Sequence, residues 1–441
     1  MITDRTGASE GRVGIHAYLG LAVLCCLTLS AQDRTSDSLM DFMYSKFSAS
    51  FVSAKDSGEN PEFLVLASPG ISLNPAQMRT PSYEISMLLD QVPQPSRIYQ
   101  RSGYRYSTIY ERILSSAYVT RYQVMADRDK ALDAKRAIFD KSRPGRPTPA
   151  YAAFLKYRSL YAVALDAQTI AIAEAQAAKT PAPPGLDQAV DKARKNWETL
   201  GYRAQIQKAL DALHKVYDTN SLAMFQNLRY DFQKAQLRGN QAQAWLPVET
   251  YPPVEEWLSR EGWHSWTFHQ SDVQQATPKD ATPLPPAKTK ADPDAAGWTP
   301  AMSLSVEVKR VEVARTWMDR NILSVHTWLL KDATGFTVVS TGNPTDQDPG
   351  PMPILVTGIL LARNLSLTGY APRTSANGGT LLPDRVGPFD LGGSRSGGTP
   401  LSRQVAKRAA GTSITVPDPQ IIAFFCQVVP KSPTPDPKFF R

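Results

Sequence analysis

The hydrophobic period changes once along this sequence, and that change limits the folds open to it. From Leu186 onward, Val190, Ala193, Trp197, Leu200, Ala204, Leu210, Leu213, Tyr217 and Leu228 recur mostly three and four residues apart, with polar residues between them. Such spacing keeps one stripe of a helix apolar. Beyond Ser303 the period becomes two. Leu304, Val306 and Val308 alternate with polar residues, and the alternation resumes at Val311 and Val313 after a shift at Lys309 and Arg310. Alternation marks a half-buried strand, and the shift predicts a β-bulge. The middle of the chain is therefore expected to be helical and its last third β.

Two more helices precede the first stripe. One starts near Ser107 and carries Tyr110, Ile113, Leu114, Ala117, Val124, Leu132 and Ile138 to a stop at "SRPGRPTP"; the next runs from about Pro149 to Lys179 and is broken by "TPAPPG". Proline turns of this kind fold each helix back along its predecessor. An unbroken helix over 186–238 would extend about 80 Å at about 1.5 Å per residue. In the last third, "ILSVHTWLL", "GFTVVS", "PILVTGILLARNLSLTG", "TSITV" and "IIAFFCQVV" read as strands, while the glycine-rich stretch at 377–399 reads as a loop outside the core. The expectation is an α+β multidomain chain: an elongated antiparallel helical bundle or coiled-coil stalk followed by an antiparallel β-sandwich. Its parts would be a leader at 1–31, a mixed cap at 32–100, a three-helix stalk at 101–240, a proline-rich connector at 241–300, the sandwich at 301–430 and a proline-rich tail at 431–441.

With 441 residues, 42% hydrophobic and 20% charged, the chain can bury more than one core. Tyr18 to Gln32 is an uncharged stretch shorter than the about 20 apolar residues a membrane span needs. It suits a secretory leader, which places the protein outside the cell or in the envelope; without a working signal it would be cytoplasmic. Once the leader is removed Cys426 is the remaining cysteine, read as a small core hydrophobe. The net charge of +8 is concentrated in the helical third and favours an anionic membrane as partner. Nucleic acid is not expected, because no long run of like charge and no aromatic-basic RNA-binding motif is present.

Catalytic signatures are missing. Neither the phosphate-binding loop nor the dinucleotide fingerprint occurs, so no cofactor is expected. No metal site is expected either: His264 and His269 are an odd number apart, which in a strand sends them to opposite faces. "GGSRSGG" at 392–398 lacks the context of a nucleophile elbow, and Glu255, Glu256, Asp319 and Asp390 are the acids that would be tested for a hydrolytic pair. Two tryptophan-rich stretches remain. In "EEWLSREGWHSWTFH", Trp257, Trp263 and Trp266 read as anchors pinning the connector between stalk and head. In "VARTWMDRNILSVHTWLL", Trp317 and Trp328 could form a platform for a sugar or lipid headgroup, with Arg315, Asp319 and Arg320 giving polar contacts. The structural alternative, a strand corner with its tryptophans in the core, is the preferred reading. The functional expectation is a non-enzymatic exported surface-binding or assembly protein, with toxin-like membrane activity through the basic stalk. Next to it stands a carbohydrate- or lipid-binding module that recognises surface glycan through the β head and forms a homo-oligomer through the stalk. A hydrolase comes last.

Overall fold

The computed structural model describes residues 39–52, 62–74, 78, 82–120, 128–140, 147–217, 221–238, 244–269, 272, 284, 302–331, 335–371, 373–374, 380–392, 401–408 and 411–440. The leader lies outside the described residues, as does most of the connector beyond residue 269. Eight strands form one antiparallel sheet: β1 (Glu62–Ser72), β2 (Glu249–Tyr251), β3 (His264–His269), β4 (Ser303–Ala314), β5 (Ile354–Tyr370), β6 (Gln404–Arg408), β7 (Gly411–Val416) and β8 (Gln420–Val428). The two longest, β4 and β5, pair at the centre. On its outer edge β4 carries β2 and β3, and β5 carries β8 and β7 on its own. β1 extends the sheet beyond β8 and β6 extends it beyond β7.

The shift at Lys309 and Arg310 has a different cause from the bulge expected there. β4 pairs with β5 in unbroken register from Glu307 to Glu312, and the irregularity falls on β5 beside Asn364, whose φ is 51°. What changes is the buried face. Leu304, Val306 and Val308 point to one side, where the helix at 39–51 (α1) covers them and stacks Phe47 and Phe51 on Trp266 at 5.2 and 5.4 Å. Val311 and Val313 point to the other side, where they meet Trp257, Ile85 and Leu89. Both faces of the sheet are thus covered by helix and coil, where the expectation had a second sheet.

The seven remaining helices among the described residues are α2 (Tyr83–Leu89), α3 (Tyr106–Ser116), α4 (Arg128–Ile138), α5 (Pro149–Ala178), α6 (Leu186–Thr199), α7 (Arg203–Tyr217) and α8 (Ser221–Ala235). They correct the fold expectation: the content is mixed α and β, but no elongated bundle or coiled-coil stalk is present among the described residues. Only α5 keeps its expected bounds, started by Thr148, whose hydroxyl accepts the Tyr151 N–H at 3.1 Å. The stripe over 186–238 is cut at Gly201, whose N–H bonds back to the Asn196 carbonyl and which Tyr202 follows with φ 51°. A side chain at Gly201 would lie 2.6 Å from the Trp197 carbonyl and 3.0 Å from Tyr157. The helix expected over 107–138 stops at Ser116, because Ala117–Val119 pairs as a strand with Trp328–Leu330.

The apolar stripes do not face one another along a stalk. α3 and α8 instead close around the segment after β4, with Tyr110 and Phe232 near 6 Å from Trp317 and Phe225 at 6.0 Å from Trp328. A second correction concerns the glycine-rich loop. Val386, Phe389 and Leu391 are buried beside α1 in the sheet's core, held by a short ladder between Arg385–Val386 and Phe389–Asp390.

Candidate functional site

Where β4 ends at Ala314, the backbone of β5 at 354–356 has no β4 partner, and side chains take its place. The Tyr106 hydroxyl donates to the Ile354 carbonyl and accepts the Val356 N–H, both at 3.0 Å. Arg315 Nη1 donates to the Val356 carbonyl at 2.7 Å and Nη2 to the Leu89 carbonyl, with its guanidinium 4.2 Å from the Tyr106 ring. The chain then turns through Asp319, which accepts the Asn321 N–H at 3.1 Å and so starts the short 3-10 helix Arg320–Ser324. Trp317 and Trp328 are both buried. Their indole N–H groups donate to the carbonyls of Pro247 at 2.9 Å and Ile322 at 2.8 Å.

This corner forms one wall of a cleft of about 690 Å³, with α5, α6 and α7 opposite. The cleft continues into a pocket of about 400 Å³ beside β4 and Glu62. Trp197, positioned by the Gly201 turn, stacks with Tyr161 at 5.6 Å, approaches Phe154 at 5.5 Å and carries Arg203 on its ring at 4.2 Å. Of the five residues singled out in the corner sequence, Arg315, Asp319 and Arg320 line the cleft and the two tryptophans do not.

The cleft's polar groups fall into two kinds. Arg310 and Glu312 belong to a closed network: Arg310 donates to Glu312 at 3.0 and 3.1 Å, to Glu62 at 2.7 Å and to the Phe51 carbonyl at 2.7 Å, while Arg158 reaches Glu312 at 3.0 Å. Burial alone would raise the Glu312 pKa, but Arg310 and then Arg158 outweigh it and hold the carboxyl below its ordinary value. The other kind is unpaired. Arg315 Nε, Thr316 Oγ1 and Trp197 Nε1 are buried donors on residues that line the cleft, and none has a hydrogen-bond partner among the described residues. Arg320 is exposed at the same place, with one long bond of 3.4 Å to Gln427. Each of these groups offers a hydrogen, and a buried donor left without an acceptor costs about 1–3 kcal/mol.

The residues of the other tryptophan stretch hold a turn together. Trp257 is fully buried and donates to Thr250 Oγ1 at 3.3 Å and the Pro252 carbonyl at 3.1 Å; Trp266 is buried in β3 beneath α1. Trp263 lies half-buried under the Arg363 guanidinium at 4.1 Å. The turn winds around Lys309, whose ammonium donates to the Glu256 and Trp257 carbonyls and to Ser259 Oγ at 3.1–3.3 Å, while Arg363 takes the Leu258 carbonyl at 3.0 Å. Burial first, and Arg363 second, push the Lys309 pKa down to about 8.

The four acids do not converge. Glu255 and Glu256 are exposed in the turn, Asp390 is buried where it accepts the Gly392 N–H, and only Asp319 reaches the cleft. His264 shares the face of Trp266 in β3 while His269 points the other way. Cys426 is buried in β8, where desolvation raises its thiol pKa. Among the described residues no group of three or more His, Cys, Asp or Glu is placed to hold a metal, and no helix is long and apolar enough to cross a membrane.

No family model matches the chain, and comparison with curated proteins and with solved structures gave no match. The cleft therefore has to be read from its own residues. Those that sequence reasoning passed over are Arg158, Trp197 and Thr316. Trp197 belonged to the helical stripe and read as core. Arg158 is one of two cations, with Lys156, in the first three turns of α5, and nothing in the sequence connects it with residues 315–320.

Proposed function

We infer that the protein is a non-enzymatic binding protein, exported by its leader, that holds a small ligand in the cleft between α5–α7 and the corner after β4. The observation that carries this reading is a single cavity on which the guanidinium groups of Arg158 and Arg320 meet the rings of Tyr151, Phe154 and Trp197. A cavity of about 690 Å³ is also within the size range of small-molecule sites, roughly 300–1,000 Å³.

Binding is favoured over hydrolysis because no histidine, cysteine or serine is among the described residues lining the cleft, and Glu312 is held as a carboxylate by two arginines. The stalk that would carry membrane activity is not present among the described residues, where α3 and α8 pack onto the β4 corner. Recognition of a lipid headgroup or glycan would use Tyr151, Phe154 and Trp197 as the apolar surface in place of Trp317 and Trp328. The indole N–H signals in a ¹⁵N spectrum test the reading, with W197F assigning Trp197. Neutral aromatic fragments should move that signal and leave the buried Trp257, Trp317 and Trp328 signals unchanged. Fragments that leave the Trp197 signal in place, or shift the buried ones instead, would overturn it.

A further inference from the structure

The side chains of the cleft also define the chemistry of the ligand. The guanidinium groups of Arg158 and Arg320 line the cleft, together with the carboxylates of Asp319 and Asp211, the latter accepting from Gln207 at 3.1 Å. Arg320 is open to solvent, and among the described residues its only hydrogen bond to another side chain is the long one to Gln427. Arg158 is half-buried and uses Nη2 on Glu312, and among the described residues no further hydrogen bond engages the rest of its fork. Both side chains line the main cleft and the pocket it leads into, and Tyr151 lines the main cleft with them. Arg158 keeps Glu312 as its ion pair, whereas Arg320 has no ion pair among the described residues. Planar guanidinium forks match carboxylate and phosphate oxygens, so the remaining donors of the two side chains suit an oxyanion.

Beside this polar end the cleft is apolar. Tyr151, Phe154, Leu155, Leu210 and Trp197 line it from the helices, and Met318 and Leu355 from the sheet side. Tyr151 and Phe154 stack at 6.1 Å, giving a surface suited to a flat or aliphatic body.

We propose that the ligand is an oxyanion on an apolar body, a phosphate ester or a carboxylate, with its oxygens between Arg158 and Arg320 and its body against Tyr151, Phe154 and Trp197. The proposal rests on the reading of the cleft as a ligand site. Binding supplies the close acceptor that Arg320 lacks and a second one for Arg158 beside Glu312.

Calorimetric titration of the full chain with phenyl phosphate, benzoate and benzyl alcohol tests the proposal. These probes share a ring and differ in the head, so they also separate the two oxyanion sources. Phenyl phosphate or benzoate should bind at least about tenfold more tightly than benzyl alcohol, with added salt weakening the charged probes only. R320Q, at an exposed position, should weaken the better charged probe by about tenfold or more and leave benzyl alcohol unchanged. R158Q should do the same if it folds; R320Q keeps the test valid if it does not. Equal binding of all three probes, or an R320Q titration identical to wild type, would overturn the oxyanion assignment while leaving the cleft as a binding site. Binding of none of the three would overturn both.

Discussion

Arg310 and Arg315 are buried arginines on either side of the end of β4, and they are partnered in opposite ways. Arg310 has two carboxylates and a carbonyl around it, with the Phe425 ring 4.2 Å away. Arg315 has carbonyls and a ring, no carboxylate within hydrogen-bond reach, and a free Nε. The first arrangement is complete: α1 ends on it, β1 contributes Glu62, and α5 is tied in through Arg158. The second leaves Nε without a partner among the described residues. The difference teaches that burial and residue type do not decide how an arginine is held: what separates the two is whether every donor has been answered and whether a carboxylate shares the charge.

Removing Arg310 should give the largest effect. R310M leaves Glu62 and Glu312 as buried carboxylates short of a cation, and breaking such a pair costs about 3–5 kcal/mol. Urea unfolding should show that loss; a change under about 1 kcal/mol would mean the network is not closed in solution. Next comes Lys309, the residue just before it on the opposite face of β4. K309M leaves the Glu256 and Trp257 carbonyls without their donor, a loss of about 1–3 kcal/mol. Its pH dependence has a definite sign. The folded pKa near 8 lies below the ordinary lysine value of 10.5, so in that window the unfolded chain binds more protons than the folded one. Stability contributed by this group is therefore present above about pH 10.5 and lost as pH falls through 8. Wild type should gain stability over that range relative to K309M, and parallel pH profiles would contradict the caged lysine.

Glu312 gives the acid counterpart. Its pKa is depressed, so its contribution is present above the ordinary carboxylate pKa and lost as pH falls through the lowered folded value. E312Q should flatten the acid limb of the stability profile at the cost of a lower plateau near neutrality; an unchanged acid limb would mean Glu312 is not linked to folding. On the open side of the comparison the effects on stability are small. R320Q should fall within about 0.5 kcal/mol of wild type, as surface substitutions do. T316V removes a buried hydroxyl that has no partner and should be neutral or stabilising by about 1 kcal/mol in the unliganded protein. A loss of more than about 1 kcal/mol on T316V would place that hydroxyl in the structural class with Arg310.

The strands at 303–314, 354–370, 411–416 and 420–428 were legible in the sequence, because alternation and long apolar runs follow from the pleat. In contrast, 335–340 forms only an isolated bridge at Ser340, and the strand read over 322–330 is a 3-10 helix at its start and a strand only at Trp328–Leu330. The phase shift at 309–310 was visible too, but its cause was not: a bulge and a change of buried face leave the same pattern in one strand. α5 was legible from its proline start and proline stop. The stalk was misread because a stripe at helical spacing records which side of each helix is apolar and carries no information about what lies opposite. Gly201 was the signal that the stripe is cut, and it sits at the position where helices commonly end. In the candidate site, the local stretch 315–320 was legible as chemically distinctive, whereas its union with Arg158 and Trp197 depends on packing across more than a hundred residues of chain.

The central claim is that Arg158 and Arg320 of the cleft receive an oxyanion. The urea midpoint of wild type and R320Q, followed as phenyl phosphate is raised, tests it most directly, because a ligand bound only by the folded state stabilises it in proportion to occupancy. The midpoint of wild type should climb steadily with phenyl phosphate, and that of R320Q should stay nearly level over the same concentrations. Midpoints that rise together, or a wild-type midpoint that does not move, would contradict the claim.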